Sequence, residues 1–385
     1  MKQKSENREF ALNQLYFYLT EGCNLRCRHC WIAPGYQAVG RTYPALDFEL
    51  FRSVVEQAKP LGLSGVKLTG GEPLLHTRIR EILDLIRTEG LCLTVETNGV
   101  LCTPELALKI AECKNPFVAV SLDGADAETH EWLRGVDGCF ETAVDGIRNL
   151  VETGLQPQVI MTIMRRNKCQ MEAVVRFAES LGAGSVKFNM VQPTARGENM
   201  HRAEENLPIE ELVELGRWVE NTLSASTPLR LVYSHPMAFR PLSNMLGSNG
   251  DSCGVCGILG ILGVLGDGSY ALCGIGESVP ELVFGHATTD RLKEVWGNTP
   301  VLIELREGLP HRLEGICGDC LMKARCLGAC VAQNYYRTKN IWAPFWYCEE
   351  AYGKGLFLGS RRIPVASGRT RINAYSSRLA RAGIR

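Results

Sequence analysis

Residues 15–30 read Leu15-Tyr-Phe-Tyr-Leu-Thr20-Glu-Gly-Cys23-Asn-Leu-Arg-Cys27-Arg-His-Cys30. The apolar, aromatic run over 15–20 predicts a β-strand that stops just short of three cysteines. Their spacing is C-x3-C-x2-C. Three thiolates fall one short of the four irons of a [4Fe–4S] cube, and the iron left open can bind something else. Zinc competes for any cysteine triplet, and here it would need a fourth ligand such as His29. The place of the triplet at a strand end, with Gly70-Gly71-Glu72-Pro73 at the end of the next strand, favours the cluster.

Outward from this stretch, β-rich runs alternate with helical patterns over the first two thirds of the chain. Strands are predicted at 15–20, 65–69, 92–96, 117–122, 158–164 and 186–191, and helices at 48–59, 79–88, 104–113, 140–152, 171–181 and 209–223. Thr103 offers an N-cap with Pro104 at the first helical position. Such alternation predicts parallel β/α units. The fold class is therefore α/β, a partial (β/α)6 TIM-like barrel. Function in these folds sits on loops past the carboxyl ends of the strands. Cys23–Cys30, Gly70–Pro73, Glu96-Thr97-Asn98 and Asp123-Gly124 all fall at such ends. The barrel is expected over 14–225, followed by a linker and helix over 226–247. From about Ser248 glycine and cysteine become dense, and 248–350 is expected to form a second, metal-organised domain. The last segment, 351–385, is a basic tail: residues 353–385 hold eight Lys/Arg and no acid.

The chain has 385 residues, 45% of them apolar, enough for two domains or one large one with an appendage. Its 42 basic and 42 acidic side chains cancel, so the global charge points to neither nucleic acid nor an acidic membrane. The opening Met1-Lys-Gln-Lys-Ser-Glu-Asn-Arg-Glu lacks signal-peptide character. No apolar run approaches the roughly 18–20 residues of a membrane span. The longest, around 258–265, is broken by Gly260 and Gly263. Sixteen cysteines without an export signal read as a cytoplasmic, metal-binding chain rather than a disulfide-bonded one.

The cysteine triplet resembles the signature of the radical SAM superfamily, in which the open iron chelates the amino and carboxylate groups of S-adenosylmethionine (SAM). The resemblance implies Cys23, Cys27 and Cys30 as cluster ligands and catalytic centre. Gly70, Gly71, Glu72 and Pro73 match the segment that holds the SAM amine: the glycines permit close backbone approach, and exposed carbonyls and Glu72 can bind an ammonium. Ser121 and Asp123 match a segment facing the SAM ribose. Arg134 matches an arginine that pairs with the SAM carboxylate, a role suited to bidentate geometry; its plain alternative is a surface salt bridge. Glu96, Thr97 and Asn98 would line the pocket. The implied chemistry is one-electron reduction of SAM by a cluster at about −400 mV or below. It releases methionine and a 5′-deoxyadenosyl radical that takes hydrogen from an inert C–H bond. The protein's share is to position the substrate and exclude water. The electron would come from a flavodoxin- or ferredoxin-type reductant.

Towards the C-terminus, Cys317-x2-Cys320-x5-Cys326-x3-Cys330 is followed by Cys348, with Cys256 and Gly268-x4-Cys273 upstream. This resembles the SPASM extension of radical SAM enzymes, which implies two auxiliary [4Fe–4S] clusters and three in all. By that analogy Cys317, Cys320, Cys326 and Cys348 hold the distal one. Cys256, Cys273 and Cys330 hold the one nearer the barrel, with Cys253 as its fourth ligand; without Cys253 that cluster would keep an open iron. Zinc is again the alternative. Cys92, Cys102, Cys113, Cys139 and Cys169 remain as small apolar fillers, with Cys102 and Cys139 placed to act as hydrogen donors.

The resemblance implies a peptide or protein substrate and a maturase, with leader recognition by a separate protein or by the barrel and tail. Only 22 residues precede Cys23, so no fused leader-binding domain is expected. Sulfatase-maturing relatives carry an aspartate after the cysteine matching Cys273; here Gly274 stands there, which lowers that reading. Glu277, Tyr233 and His235 are candidate bases with structural roles as the plainer alternative. A tetrapyrrole substrate in an alternative haem pathway is the second reading. A non-catalytic iron–sulfur carrier would not need the SAM-facing residues.

Overall fold

The computed structural model describes residues 10–38, 40–242 and 256–364. Cys253 and the tail beyond 364 lie outside the described residues. Seven parallel strands cross one sheet in chain order: β1 (Gln14–Tyr18), β2 (Gly65–Thr69), β3 (Cys92–Thr97), β4 (Lys114–Ser121), β5 (Gln158–Ile163), β6 (Ser185–Met190) and β7 (Arg230–Tyr233). Between them run α1 (Phe48–Ala58), α2 (Ile79–Thr88), α3 (Pro104–Ala111), α4 (Ala127–Arg134), α5 (Cys139–Glu152), α6 (Met171–Ser180), α7 (Arg196–Arg202) and α8 (Ile209–Asn221). The six expected strands and six expected helices are all present, and Thr103 caps α3 by accepting from the Leu106 N–H. Helices α4 and α7 are only 8 and 7 residues long and mostly polar, which is why the sequence alone does not reveal them.

Four strands extend the expected six-stranded sheet, one at one edge and three at the other. Strand β7 arises within 226–247 and pairs with β6. Beyond residue 256 the chain returns to the opposite edge. The apolar run over 258–265 supplies β8 (Ile261–Val264), parallel to β1 with Gln14 opposite Ile261 and Phe17 opposite Val264. Strands β9 (Ser269–Ala271) and β10 (Val283–His286) then continue antiparallel. The Trp296 indole N–H donates to the Phe10 carbonyl at 2.7 Å and fixes the C-terminal helices to the entry of β1.

Alternation along β1 divides the work of its side chains. Leu15 and Phe17 are fully buried under the helices, the Phe17 ring centroid 4.3 Å from that of Phe51 on α1. Tyr16 points the other way and lies under the Lys67 ammonium, 4.7 Å from its ring centroid. Truncation of Phe17 to alanine is expected to cost about 3–5 kcal/mol, the range for a fully buried aromatic. Urea unfolding of the metal-free chain measures it; a loss below about 1 kcal/mol would show that β1 is not the packed centre of the sheet.

Candidate functional site

The carboxyl ends of β1 and β2 are welded by backbone. Gly71 N–H donates to Thr20 O at 2.9 Å, and Glu72 N–H to Gly22 O at 3.0 Å. A Cβ on Gly71 would stand 1.9 Å from the Gly22 oxygen, so only glycine fits. Gly70 adopts φ +121°, outside ordinary L-residue space. The cysteine loop leaves this weld and is pinned a second time, where Arg26 and Arg28 N–H donate to the carbonyls of Arg134 and Leu133 at 3.0 and 2.9 Å.

Cys23, Cys27 and Cys30 form one wall of a cavity of ≈ 350 Å³ at the barrel mouth. Gly70, Gly71, Glu72, Glu96, Thr97, Asn98, Ser121 and Arg134 line it as well. Pro73 begins a buried 3-10 turn behind it, and Asp123 is fully buried beneath it, so neither is among the lining residues. Cys273 and Cys330 line the same cavity.

Glu72, on the cavity wall, is also a structural tie. Its carboxylate accepts from Thr97 Oγ1 at 2.6 Å, Asn98 N–H at 2.8 Å and Leu74 N–H at 3.1 Å, tying the end of β2 to that of β3. Asn98 in turn donates from Nδ2 to Asn24 Oδ1 at 2.7 Å, reaching into the cysteine loop. Asp123 likewise works from behind. It accepts from Thr162 N–H at 2.7 Å and pairs with Arg134, Nη2 to Oδ2, at 2.7 Å. Arg134 Nη1 stands 3.5 Å from Cys27 Sγ, while its buried Nε has no partner. Burial pushes the Cys27 thiol up, and the Arg134 charge opposes that shift. Glu96 is held below the usual carboxylate range by Lys67 and then Lys187, against the opposing effect of burial.

The zinc reading of the triplet finds no support in His29, whose Nε2 faces Asp123 at 3.8 Å. Among the described residues no three His, Cys, Asp or Glu side chains gather closely enough to hold a single metal ion, and every described cysteine is free. A cube spreads its thiolates over separate irons, so an all-sulfur donor set gathered more loosely fits a cluster. Cys317, Cys320, Cys326 and Cys348 line one small cavity. Cys317 is held low and Cys348 high by the hydrogen bond between their sulfurs. Burial raises the Cys256 and Cys273 thiols, and Cys330 lies close enough to raise both further.

The other candidates fall elsewhere. Tyr233 donates to Leu212 O at 2.8 Å and His235 Nε2 meets Glu220 at 2.8 Å, both away from the cavity lining. Glu277 lies beside Glu21 and Asp267, also away from it. Cys102 and Cys139 are buried; Cys139 packs against Cys23 and Cys27. Trp31, Lys187, Asn189 and Gln333 line the cavity without having been singled out. For Asn189 the signal was its place at the end of β6, and for Lys187 its place within that strand; Trp31 and Gln333 carried none.

Burial lifts Glu72 to about 6, against its hydrogen bonds and Arg134. A carboxyl raised above its ordinary 4.5 contributes stability that is full below that value and lost as pH rises through about 6. The stability of the metal-free wild type relative to Glu72→Gln should therefore fall by about 2 kcal/mol between roughly pH 4 and pH 7. Urea midpoints across that range test it, and a flat difference would refute the assigned burial.

Comparison with known proteins agrees with this geometry. Residues 17–178 match the model of the Radical SAM superfamily. The AdoMet-dependent heme synthase of Methanosarcina barkeri is 29% identical over 346 residues, 87% of this chain and 96% of the relative. The Mycofactocin maturase MftC of Mycobacterium tuberculosis is 26% identical over 356 residues, 91% and 86% of the two chains. Among solved structures, Streptococcus suis SuiB bound to precursor peptide SuiA superposes with a TM-score of 0.67 at 17% identity, over 89% of this chain and 76% of SuiB, a likeness of fold.

Proposed function

We propose that this chain, whose residues 17–178 match the Radical SAM superfamily, is a SPASM-type enzyme that cleaves SAM reductively and modifies a peptide or protein. The observation that carries the reading is the shared cavity: Cys23, Cys27 and Cys30 face Cys273 and Cys330 around one space at the mouth of the barrel. A [4Fe–4S] cluster on Cys23, Cys27 and Cys30 would supply the electron that splits SAM into methionine and the hydrogen-abstracting 5′-deoxyadenosyl radical. Cys317, Cys320, Cys326 and Cys348 would hold a second cluster. Cys256, Cys273, Cys330 and Cys253, the last outside the described residues, would hold a third.

The chain's own residues prepare the site. Gly70 and Gly71 offer backbone carbonyls to the SAM amine, a role for which their close approach to β1 is suited. Glu72 fixes that loop and, on the cavity wall, would also contact the SAM amine. Arg134, charged and with Nε still unpartnered, faces the SAM carboxylate. Ser121, Glu96, Thr97 and Asn98 take the nucleoside side of the cavity. Asp123 orients Arg134. The domain reading is a barrel over 14–225, a connecting segment over 226–247 and an auxiliary-cluster region over 248–350, in a cytoplasmic enzyme. Among the described residues no helix is long and apolar enough to cross a membrane.

The peptide substrate is supported by the names of SuiB's bound ligand and of MftC. A tetrapyrrole substrate is the second reading, supported by the Methanosarcina heme synthase, which this chain matches over almost the whole of that relative. Substrate-dependent 5′-deoxyadenosine formation separates them. A short peptide encoded beside this chain's gene should stimulate it and change mass. Turnover of a propionate-bearing tetrapyrrole instead would sink the peptide reading.

Anaerobically reconstituted protein should hold about twelve iron atoms, as three four-iron clusters require; a value near four would refute the two auxiliary clusters. Dithionite and SAM should yield 5′-deoxyadenosine, and Cys27→Ala should abolish it. Gly71→Ala, by displacing the weld to Gly22, should lower the rate about 100-fold. An unchanged rate would remove the weld from the mechanism.

A further inference from the structure

The outer face of the cysteine loop is cationic and aromatic. Arg26 and Arg28 flank Cys27 in sequence and are exposed, whereas Cys27 is buried. The Arg28 guanidinium lies 4.7 Å from the Trp132 ring centroid, and Arg166 lies 4.4 Å from the same ring. Arg26 stands 4.7 Å from the Tyr36 ring centroid. Arg28 Nε donates to Trp132 O at 2.8 Å and Arg26 Nε to Gly135 O at 3.2 Å. These acceptors are backbone carbonyls, which bring no net charge. Glu128, 90% exposed, stands 3.8 Å from Arg166. In a chain of zero formal charge, positive charge is thus concentrated over one loop.

We propose that Arg26, Arg28, Trp132 and Arg166 form the docking surface for a small acidic one-electron carrier protein. The proposal rests on the cluster assignment of Cys23–Cys30. Two features select that occupant. A cationic surface steers and orients an acidic partner, and aromatic rings gripped by arginine give it rigid contact area. The surface is also adjacent to the thiolates. Arg28 directly follows Cys27 in the chain, and Trp132 precedes by two residues the Arg134 whose guanidinium stands 3.5 Å from Cys27 Sγ. The carrier is oxidised by one electron. That electron ends on the sulfonium of SAM, whose S–C5′ bond breaks to methionine and the 5′-deoxyadenosyl radical.

The test uses the holoenzyme with SAM, driven either by reduced flavodoxin or by dithionite. Arg166→Glu should lower flavodoxin-driven 5′-deoxyadenosine formation about tenfold at low salt, and Arg166→Ala by less, with the dithionite-driven rate unchanged in both. The advantage of wild type should shrink as salt rises. Binding is read separately from broadening of ¹⁵N-flavodoxin resonances, which the same substitutions should weaken. Leu321→Glu, on an exposed residue beside Cys320, is the comparison and should leave both readouts intact. Unchanged binding in Arg166→Glu, or a loss confined to Leu321→Glu, would overturn the proposal. Absence of dithionite-driven cleavage in wild type would sink the enzymatic reading instead, and the binding measurement would still decide the docking surface.

Discussion

The site depends on two strand ends meeting without side chains between them. Gly71 and Gly22 touch backbone to backbone, and nothing larger than hydrogen fits. The contact satisfies the Gly71 and Glu72 amides with carbonyls of the segment leading into Cys23. The first cysteine is therefore placed by main-chain geometry, which thermal motion of a side chain cannot blur. Glu72 then carries the constraint from β2 to β3, and Asn98 carries it back to Asn24. Three loops that are far apart in sequence become one rigid rim.

Beneath the rim, the buried pair of Asp123 and Arg134 makes a poor stabiliser and a good positioner. Removing two charges from water costs several kcal/mol per ion, and mutual attraction only roughly returns it. What the pair gains is direction. Asp123 is itself fixed by Thr162, so the guanidinium it holds cannot swing away from Cys27. The permanent charge of arginine opposes the burial that would otherwise keep the Cys27 thiol protonated. The same side chain leaves one buried N–H unpaired, as expected of a group awaiting a ligand.

The barrel was legible because apolar periodicity and strand-end motifs agreed at each step from Gln14 to Met190. The cysteine sets were legible because thiolate spacing is a discrete signal. Roles decided by orientation were not. Glu72 and Asp123 belong to the motifs expected of them, but the spacing does not reveal that both accept from buried backbone amides or that Asp123 pairs with Arg134. A sequence carries residue type and spacing but not which way a carboxylate faces. Strand β7 was hidden by its four residues, and Trp31 and Gln333 by their lack of any motif.

Among the C-terminal cysteines, Cys273 is set by the sheet itself. Without β8, β1 would be an open edge, a liability in any sheet. The strand that closes this edge is parallel to β1, in register from Gln14 to Phe17, and leads through a hairpin to Cys273. The ring of Tyr18, the last residue of β1, occupies the space where a side chain on Gly274 would sit. An aspartate at that position would collide with the strand that leads to Cys23. The glycine at 274 is thus a packing requirement of the sheet. One strand register fixes the spacing between two cysteine sites, so the cavity between them is as rigid as the sheet itself.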